Sequence, residues 1–453
     1  MSCHLYWYAD AVSTRPSCDS LAHVSEWATF DRLRYPAAVA LCIIAACQGT
    51  PAVTSNGAPA PLRSSGGRNA PAQLHKPYVV LISVDGFRAD YLGKYDAPNF
   101  SRIAREGVRA AGMIPVFPSK TFPNHLSIVT GVYPAKHGIV SNRFWDPARH
   151  SAYALGDQKS MGDGTWYSAD PIWVTAEQQG MVTASLDWPG GDAAISGVRP
   201  TRFTRYEART TMANRADSVL AWLALPDSIR PHLIAVYNSD VDHAGHNYGP
   251  WTPQVASAIA VADSMLGRVL DGIARLPIAT ETYVIVVADH GMTEVSRDTY
   301  LQIGNLIDTA GVIVAEGGPV VNLHVAGGKS RAVILRDSLN RRLQHGRAYL
   351  VDDIPERFHY RSNPRIGDLV VIMDEHWQLG SDPRASHGQH GFDNMLPSMY
   401  AIFLATGPGI RHGLTISPFE NIHVYSLMTD LLGIVPPAGI DGKSRFLKNQ
   451  IMQ

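Results

Sequence analysis

Six acidic and imidazole residues fall into groups whose spacing suits a paired-metal centre. Asp85 stands alone, Asp242 and His246 form a D-x-x-x-H pair, Asp289 and His290 are adjacent, and His390 lies in H-G-Q-H-G-F-D. A separation of four aims two side chains at one point on a helical turn. Adjacent side chains such as Asp289 and His290 can both reach one ion just past a strand end, where Gly291 would allow the chain to turn. Each residue alone has a plainer reading: a helix cap for Asp289, a hydrogen-bonded core histidine for His290. Their occurrence together favours metal binding. Thr121, in K-T-F-P-N-H, would be the nucleophile, although a plain N-cap is its simpler role. A hydroxyl beside divalent ions, with a helix start next to it, points to cleavage of a phosphate ester.

The donors narrow the metal. The four cysteines are Cys3, Cys18, Cys42 and Cys47, so nothing after Cys47 can offer sulfur. Oxygen and nitrogen donors suit zinc, manganese or iron. Zinc is expected because the set divides into two sites of like type. Asp242, His246 and His390 would hold one ion. Asp85, Asp289, His290 and the Thr121 oxygen would hold the other.

The elements that must position these residues are legible as apolar runs. Tyr78 to Ser83, Leu233 to Tyr237 and Tyr283 to Ala288 each precede acidic residues, as buried parallel strands precede their ligands. Pro98 to Gly107 reads as a helix, and Thr121 to Val129 as another, with Thr121 where a cap or pre-cap residue would be. From Thr252 to about Ala274, apolar residues follow the helical period. Met399 to Ala405 gives a fourth strand-like run, Leu335–Gln344 a polar helix, and Ile422 to Leu432 a closing helix. Residues 140–232, with Trp145, Trp166, Trp173 and Trp188, read mainly as substrate-facing loops and sheet connections. The fold class is α/β, with a mainly parallel central sheet flanked by helices. Residues 77–453 would form the catalytic domain, with a small inserted subdomain at 320–385.

The 453 residues are 45% apolar and carry 39 Lys plus Arg against 40 Asp plus Glu, for a net charge of -1. That balance argues against a broad cationic surface for long nucleic acids. Residues 1–47 read as a leader. Arg32 and Arg34 flank the apolar run Pro36 to Cys47, which is too short for a membrane span. Ile44-Ala-Ala-Cys47 is similar to a bacterial lipoprotein processing site, which would anchor an exported or periplasmic enzyme through Cys47. A buried helix or a disordered leader is the alternative. Residues 48–76, rich in Pro, Gly, Ala and Ser, read as a tether.

Together the motifs resemble the nucleotide pyrophosphatase/phosphodiesterase family of the alkaline phosphatase superfamily, in its compact bacterial form. The matching pieces are Ser83 to Arg88, Lys120 to His125, Gly131 to Pro134 with His137 to Ile139, Asn142, Asp242 to Pro250, Asp289 to Met292 and His390 to Asn394. The resemblance implies an alkaline phosphatase-like core, two zinc ions and small nucleotide substrates cleaved to nucleoside 5′-monophosphates through a covalent intermediate on Thr121. It implies that Asn142 donates to a phosphoryl oxygen. The Asp242, His246 and His390 zinc would serve the leaving group and later the attacking water; the Asp85, Asp289 and His290 zinc would activate Thr121. Phe122 and Tyr237, with Tyr206 assisting, would hold the nucleobase. No obligate protein partner is expected. The alternatives are a phosphodiesterase for lipid or choline esters, a phosphomonoesterase of the same superfamily, and a noncatalytic metal-binding protein.

Overall fold

A computed structural model describes residues 66–205, 211–381 and 386–453. Its main sheet has eight strands in the order Leu414–Ile416, Val108–Ala110, Phe403–Thr406, Thr282–Val287, Tyr78–Val84, Leu233–Asn238, Thr183–Leu186 and Arg202–Thr204. Tyr78–Val84 lies at its heart, parallel to both neighbours, with Ser83 in register with Tyr237 on one side and Val287 on the other. These three strands are buried at every position, which is why they read as continuous apolar runs rather than as alternating ones. Phe403–Thr406 runs antiparallel to both its neighbours.

The shared register brings the three strands to their carboxyl ends together. Asp85, the segment from Asp240, and Asp289 therefore leave the sheet at one edge, where open α/β sheets gather ligands. Gly86 permits this convergence. Its φ is +70°, and a Cβ there would lie 2.9 Å from the Asp242 Cα. No other residue tolerates both the left-handed backbone and that approach.

The helices pack around this frame. Pro253–Ile273 presents Val255, Ile259, Ala262, Leu266 and Val269 to the core, as its periodicity predicts. Pro98–Glu106 and His423–Leu432 lie where the sequence places helices. A second sheet, wholly antiparallel, has the order Val312–Val314, Val320–Val325, Leu369–Met373 and Gly346–Leu350. Val320 and Val370 join the main core, while Val321, Leu323 and Val371 pack with Ala332, Leu335 and Leu339 of the helix Gly328–Arg342. That helix begins earlier than Leu335 because its first turn, Gly328 to Arg331, holds no buried apolar residue and carries no periodic signal.

Two expectations change. Within 140–232, Trp173 is fully buried in the core and Trp166 nearly so, so they support the fold rather than face a substrate. Asn69, inside the expected tether, is buried and donates to the Asp227 and Arg230 carbonyls. It also accepts from the Val182 N–H, so this part of the segment packs against the body.

Candidate active site

Thr121 is the first residue of the helix Thr121–Thr130, and Lys120 precedes it as N-cap. The sequence suggests a cap or pre-cap place for Thr121, but the structure sets it inside the first turn. One position further in, its hydroxyl makes no cap bond. Instead Oγ1 lies 3.3 Å from His290 Nε2. The helix is buried throughout, so its N-terminal partial charge acts in a poorly screened setting.

The six expected ligands converge around this hydroxyl. Asp242 and His246 sit on one face of the short helix Asp240–Tyr248, with Asp242 Oδ1 3.4 Å from His246 Nε2 and 3.7 Å from His390 Nε2. His290 Nε2 lies 2.9 Å from Asp289 Oδ2 and 3.5 Å from Asp85 Oδ1. The His290 and His390 rings stack 3.5 Å apart, so the two sets abut. Asp85, Asp242 and His290 also bring one ligand atom each within 4.8 Å of one another.

The donor set fits divalent cations on three counts. Asp85 Oδ1, Asp242 Oδ1 and Asp289 Oδ2 are buried and make no hydrogen bond. Buried polar atoms are rarely left so, and these three point at one another's neighbourhood. Next, the Nδ1 atoms of His246, His290 and His390 lie 2.8, 2.9 and 2.9 Å from the carbonyls of Gly388, Gly291 and Ser119. A carbonyl only accepts, so each Nδ1 carries the proton and each Nε2 presents its lone pair to the cluster. Finally, the charges conflict without a cation. Burial, then Asp289 and Asp242, push the Asp85 carboxyl well above the usual range. Burial would also raise Asp289, yet His290 and His125 hold it well below. Burial tends to lower His290, but the Asp289 carboxylate beside it raises it. Burial and the neighbouring His290 and His246 rings hold His390 well below the usual imidazole value.

His125 also approaches Asp85 and Asp289 closely enough to be a donor. Its ring is already committed. Nδ1 donates to the Thr121 carbonyl at 2.9 Å, and Nε2 is 2.8 Å from Ser83 Oγ. His125 therefore braces the Thr121 turn. Gly291 has a different purpose from the one expected. It does not adopt a positive φ; a Cβ there would lie 2.1 Å from the Ser398 carbonyl oxygen.

The cluster separates two cavities. An apolar basin of about 470 Å³ is lined by Thr121, Phe122, Leu155, Met161, Trp188 and Tyr237, among others. A polar trough of about 390 Å³ is lined by Lys120, Asn142, Arg143, His246, Glu316 and His390, among others. Asn142 Oδ1 accepts from the Phe122 N–H at 2.9 Å, which leaves its amide donors to the cleft. Tyr237 lines the basin and donates its hydroxyl to Asp85. Tyr206 lies outside the described residues. Asp240 and His243 are exposed.

A family model described as type I phosphodiesterase / nucleotide pyrophosphatase matches residues 79–393. The chain belongs to that family. It is 35% identical to human ectonucleotide pyrophosphatase/phosphodiesterase family member 1 over 407 residues, covering 86% of this chain and 44% of that protein. It is likewise 35% identical to the venom phosphodiesterase CdcPDE of Crotalus durissus collilineatus, over 82% of this chain and 46% of that one. This phosphodiesterase-family chain thus spans less than half the length of these curated relatives. Among solved structures it superposes on murine ectonucleotide pyrophosphatase/phosphodiesterase 5 with a TM-score of 0.77 at 30% identity, covering 83% of this chain and 99% of that one. That structure is of an inactive threonine-to-alanine variant in complex with AMP. The family's alkaline phosphatase-like fold matches the mainly parallel sheet described above.

Sequence reasoning passed over several residues of this family member's cleft. The sequence offers Trp188 only as one of several tryptophans, and Lys120 and His125 only as letters in a motif. Glu316 had no motif at all, because it reaches the cleft from the second sheet.

Proposed function

We propose that the chain is a nucleotide pyrophosphatase/phosphodiesterase that releases nucleoside 5′-monophosphates through a covalent intermediate on Thr121. The observation that carries this is the Thr121 hydroxyl, at a buried helix N-terminus, beside carboxylates that each keep one buried oxygen without a hydrogen bond, and lining an apolar basin of about 470 Å³.

The Thr121 oxygen attacks phosphorus in line. Its bond to phosphorus forms as the bond to the leaving oxygen breaks, and the leaving oxygen keeps the electron pair. Asn142, oriented by the Phe122 N–H, donates its amide to a nonbridging oxygen as negative charge grows there. Phe122 and Tyr237 flank the base in the basin. Asp85, Asp289, His290 and Thr121 would hold one zinc ion and Asp242, His246 and His390 a second, which would supply the positive charge that favours the threonine alkoxide and offsets the phosphoryl oxygens. Water attacking from the opposite face then frees the monophosphate, and two inversions give net retention. The murine neighbour, inactive as a threonine-to-alanine variant and solved with AMP, supports both the nucleophile and the nucleotide.

A phosphomonoesterase would need an arginine on a doubly ionised phosphoryl group. Arg88 is buried against Asp90 and the Met292 carbonyl instead. The deciding experiment is product analysis with ATP. AMP with pyrophosphate supports the proposal, whereas ADP with phosphate defeats it. A lipid or choline diesterase would show no competition by free nucleosides.

Residues 77–453 form the catalytic domain in this reading. The leader and Cys47 lie outside the described residues. Export is supported by the relatives, which are named as ectoenzymes and venom proteins. Among the described residues, no helix is long and apolar enough to cross a membrane.

A further inference from the structure

The polar trough borrows one wall from the second sheet. Glu316 lies on the loop between the strands Val312–Val314 and Val320–Val325. That loop is pinned. Gly318 and Leu379 exchange backbone hydrogen bonds of 2.8 and 3.0 Å, and a Cβ on Gly317 would lie 3.0 Å from the Tyr300 hydroxyl. Glu316 is thus placed before any ligand arrives.

Its partners are the groups beside the nucleophile. Glu316 Oε2 accepts from Lys120 Nζ at 2.7 Å, Ser141 Oγ at 2.5 Å and the Arg143 N–H at 3.2 Å. Lys120 is itself 4% exposed, so its ammonium has this carboxylate as its counter-charge at the trough. All three bonds fall on Oε2. Oε1 takes part in none of them and is left to the trough that Glu316 lines. The remaining polar lining includes the neutral amides of Gln378 and Gln389 and the hydroxyl of Ser381. Arg143 is exposed at the rim.

We infer that Glu316 sets leaving-group specificity in the proposed phosphodiesterase, favouring uncharged, hydroxyl-bearing leaving groups over pyrophosphate. This rests on the function proposed above. The trough is lined by His246 and His390, expected to hold the ion that serves the leaving group, whereas Thr121 lines the basin, so the trough receives the departing half of the substrate. The carboxylate cancels the Lys120 charge that would otherwise draw polyphosphate. Its outward oxygen repels phosphate and accepts from hydroxyls, as a second nucleoside or a sugar would offer them. The best substrates are therefore diesters between a nucleoside 5′-phosphate and an uncharged alcohol.

The test compares ATP, which departs as pyrophosphate, with thymidylyl-3′,5′-thymidine, which departs as a nucleoside. The unmutated enzyme should show the higher kcat/KM on the dinucleoside. Glu316→Gln keeps the shape and removes the charge. It should raise the ratio of kcat/KM for ATP over the dinucleoside about tenfold, or about 1.4 kcal/mol of selectivity. Glu316→Ser, also uncharged but short, should move the ratio the same way and guards against a misfolded glutamine variant. An unchanged ratio in variants that melt normally would overturn the Glu316 assignment while leaving the phosphodiesterase intact. Failure of the unmutated enzyme to cleave either compound would overturn both.

Discussion

The Tyr237 hydroxyl donates to Asp85 Oδ2 at 2.6 Å, while the same side chain lines the apolar basin. One residue thus joins the place where a base would rest to a carboxylate expected to hold a cation. The His125 ring meets Tyr237 edge-on at 5.0 Å and carries the link back to the Thr121 turn.

Tyr237→Phe separates the two roles. The ring stays, but Asp85 loses the donor that fixes its orientation. Zinc affinity should fall about tenfold or more, as it does when a hydrogen-bond partner of a metal ligand is removed. A chromophoric chelator competing for zinc would measure this without turnover. If zinc affinity is unchanged, the hydroxyl does not position Asp85.

Thr121→Ala should retain the zinc content of the unmutated protein, because the six other side chains proposed as ligands remain. Turnover of nucleotide substrates should fall by several orders of magnitude, as in enzymes that lose a covalent nucleophile. Metal analysis and kcat on one preparation check both halves. Near-normal turnover would remove Thr121 from the reaction.

Phe122→Ala should penalise nucleotides more than a small phosphodiester without a base. Base–aromatic stacking is worth about 1–3 kcal/mol in single-stranded complexes. A comparable difference in transition-state free energy is expected between nitrophenyl thymidine monophosphate and bis-nitrophenyl phosphate. Equal losses on the two substrates would assign Phe122 to packing alone.

Acid should weaken the protein through Asp146. Burial opposes ionisation of this carboxyl, but the Arg365 guanidinium at 2.9 Å and the Ala148 and Arg149 N–H groups hold it below the usual carboxylate value. A depressed folded value gives stability that is present above the unfolded value, near pH 3.9, and lost as pH falls through the folded one. Urea unfolding of the unmutated protein should therefore lose stability below about pH 4. Asp146→Asn should show a shallower loss there. Asp146→Ala should cost about 3 kcal/mol at neutral pH, by leaving Arg365 buried without its partner. Parallel acid slopes in all three proteins would mean that the pair does not titrate with folding.

Much of the frame could be read from residues alone, because the strands that lead to Asp85, Asp242 and Asp289 are buried on both faces and announce themselves as unbroken apolar runs. Spacing sufficed for Asp242 and His246, which share a helical face, and for Asp289 with His290. Geometry between distant segments was less visible. Nothing in the spacing shows that His125 is committed to Ser83 and the Thr121 carbonyl, or that Gly291 yields room to Ser398. Glu316 was invisible for the same reason: its loop touches Lys120 only once the second sheet has folded across the first.

The cleft draws its two walls from different layers of the protein. Phe122, Trp188 and Tyr237 come from the parallel sheet and its connections, whereas Glu316 hangs from a hairpin some two hundred residues downstream of Lys120. On the proposed reaction, changes in that hairpin would alter what departs from phosphorus without disturbing what stays attached. Loop exchange between relatives, limited to residues 315–318, offers an engineer the same freedom.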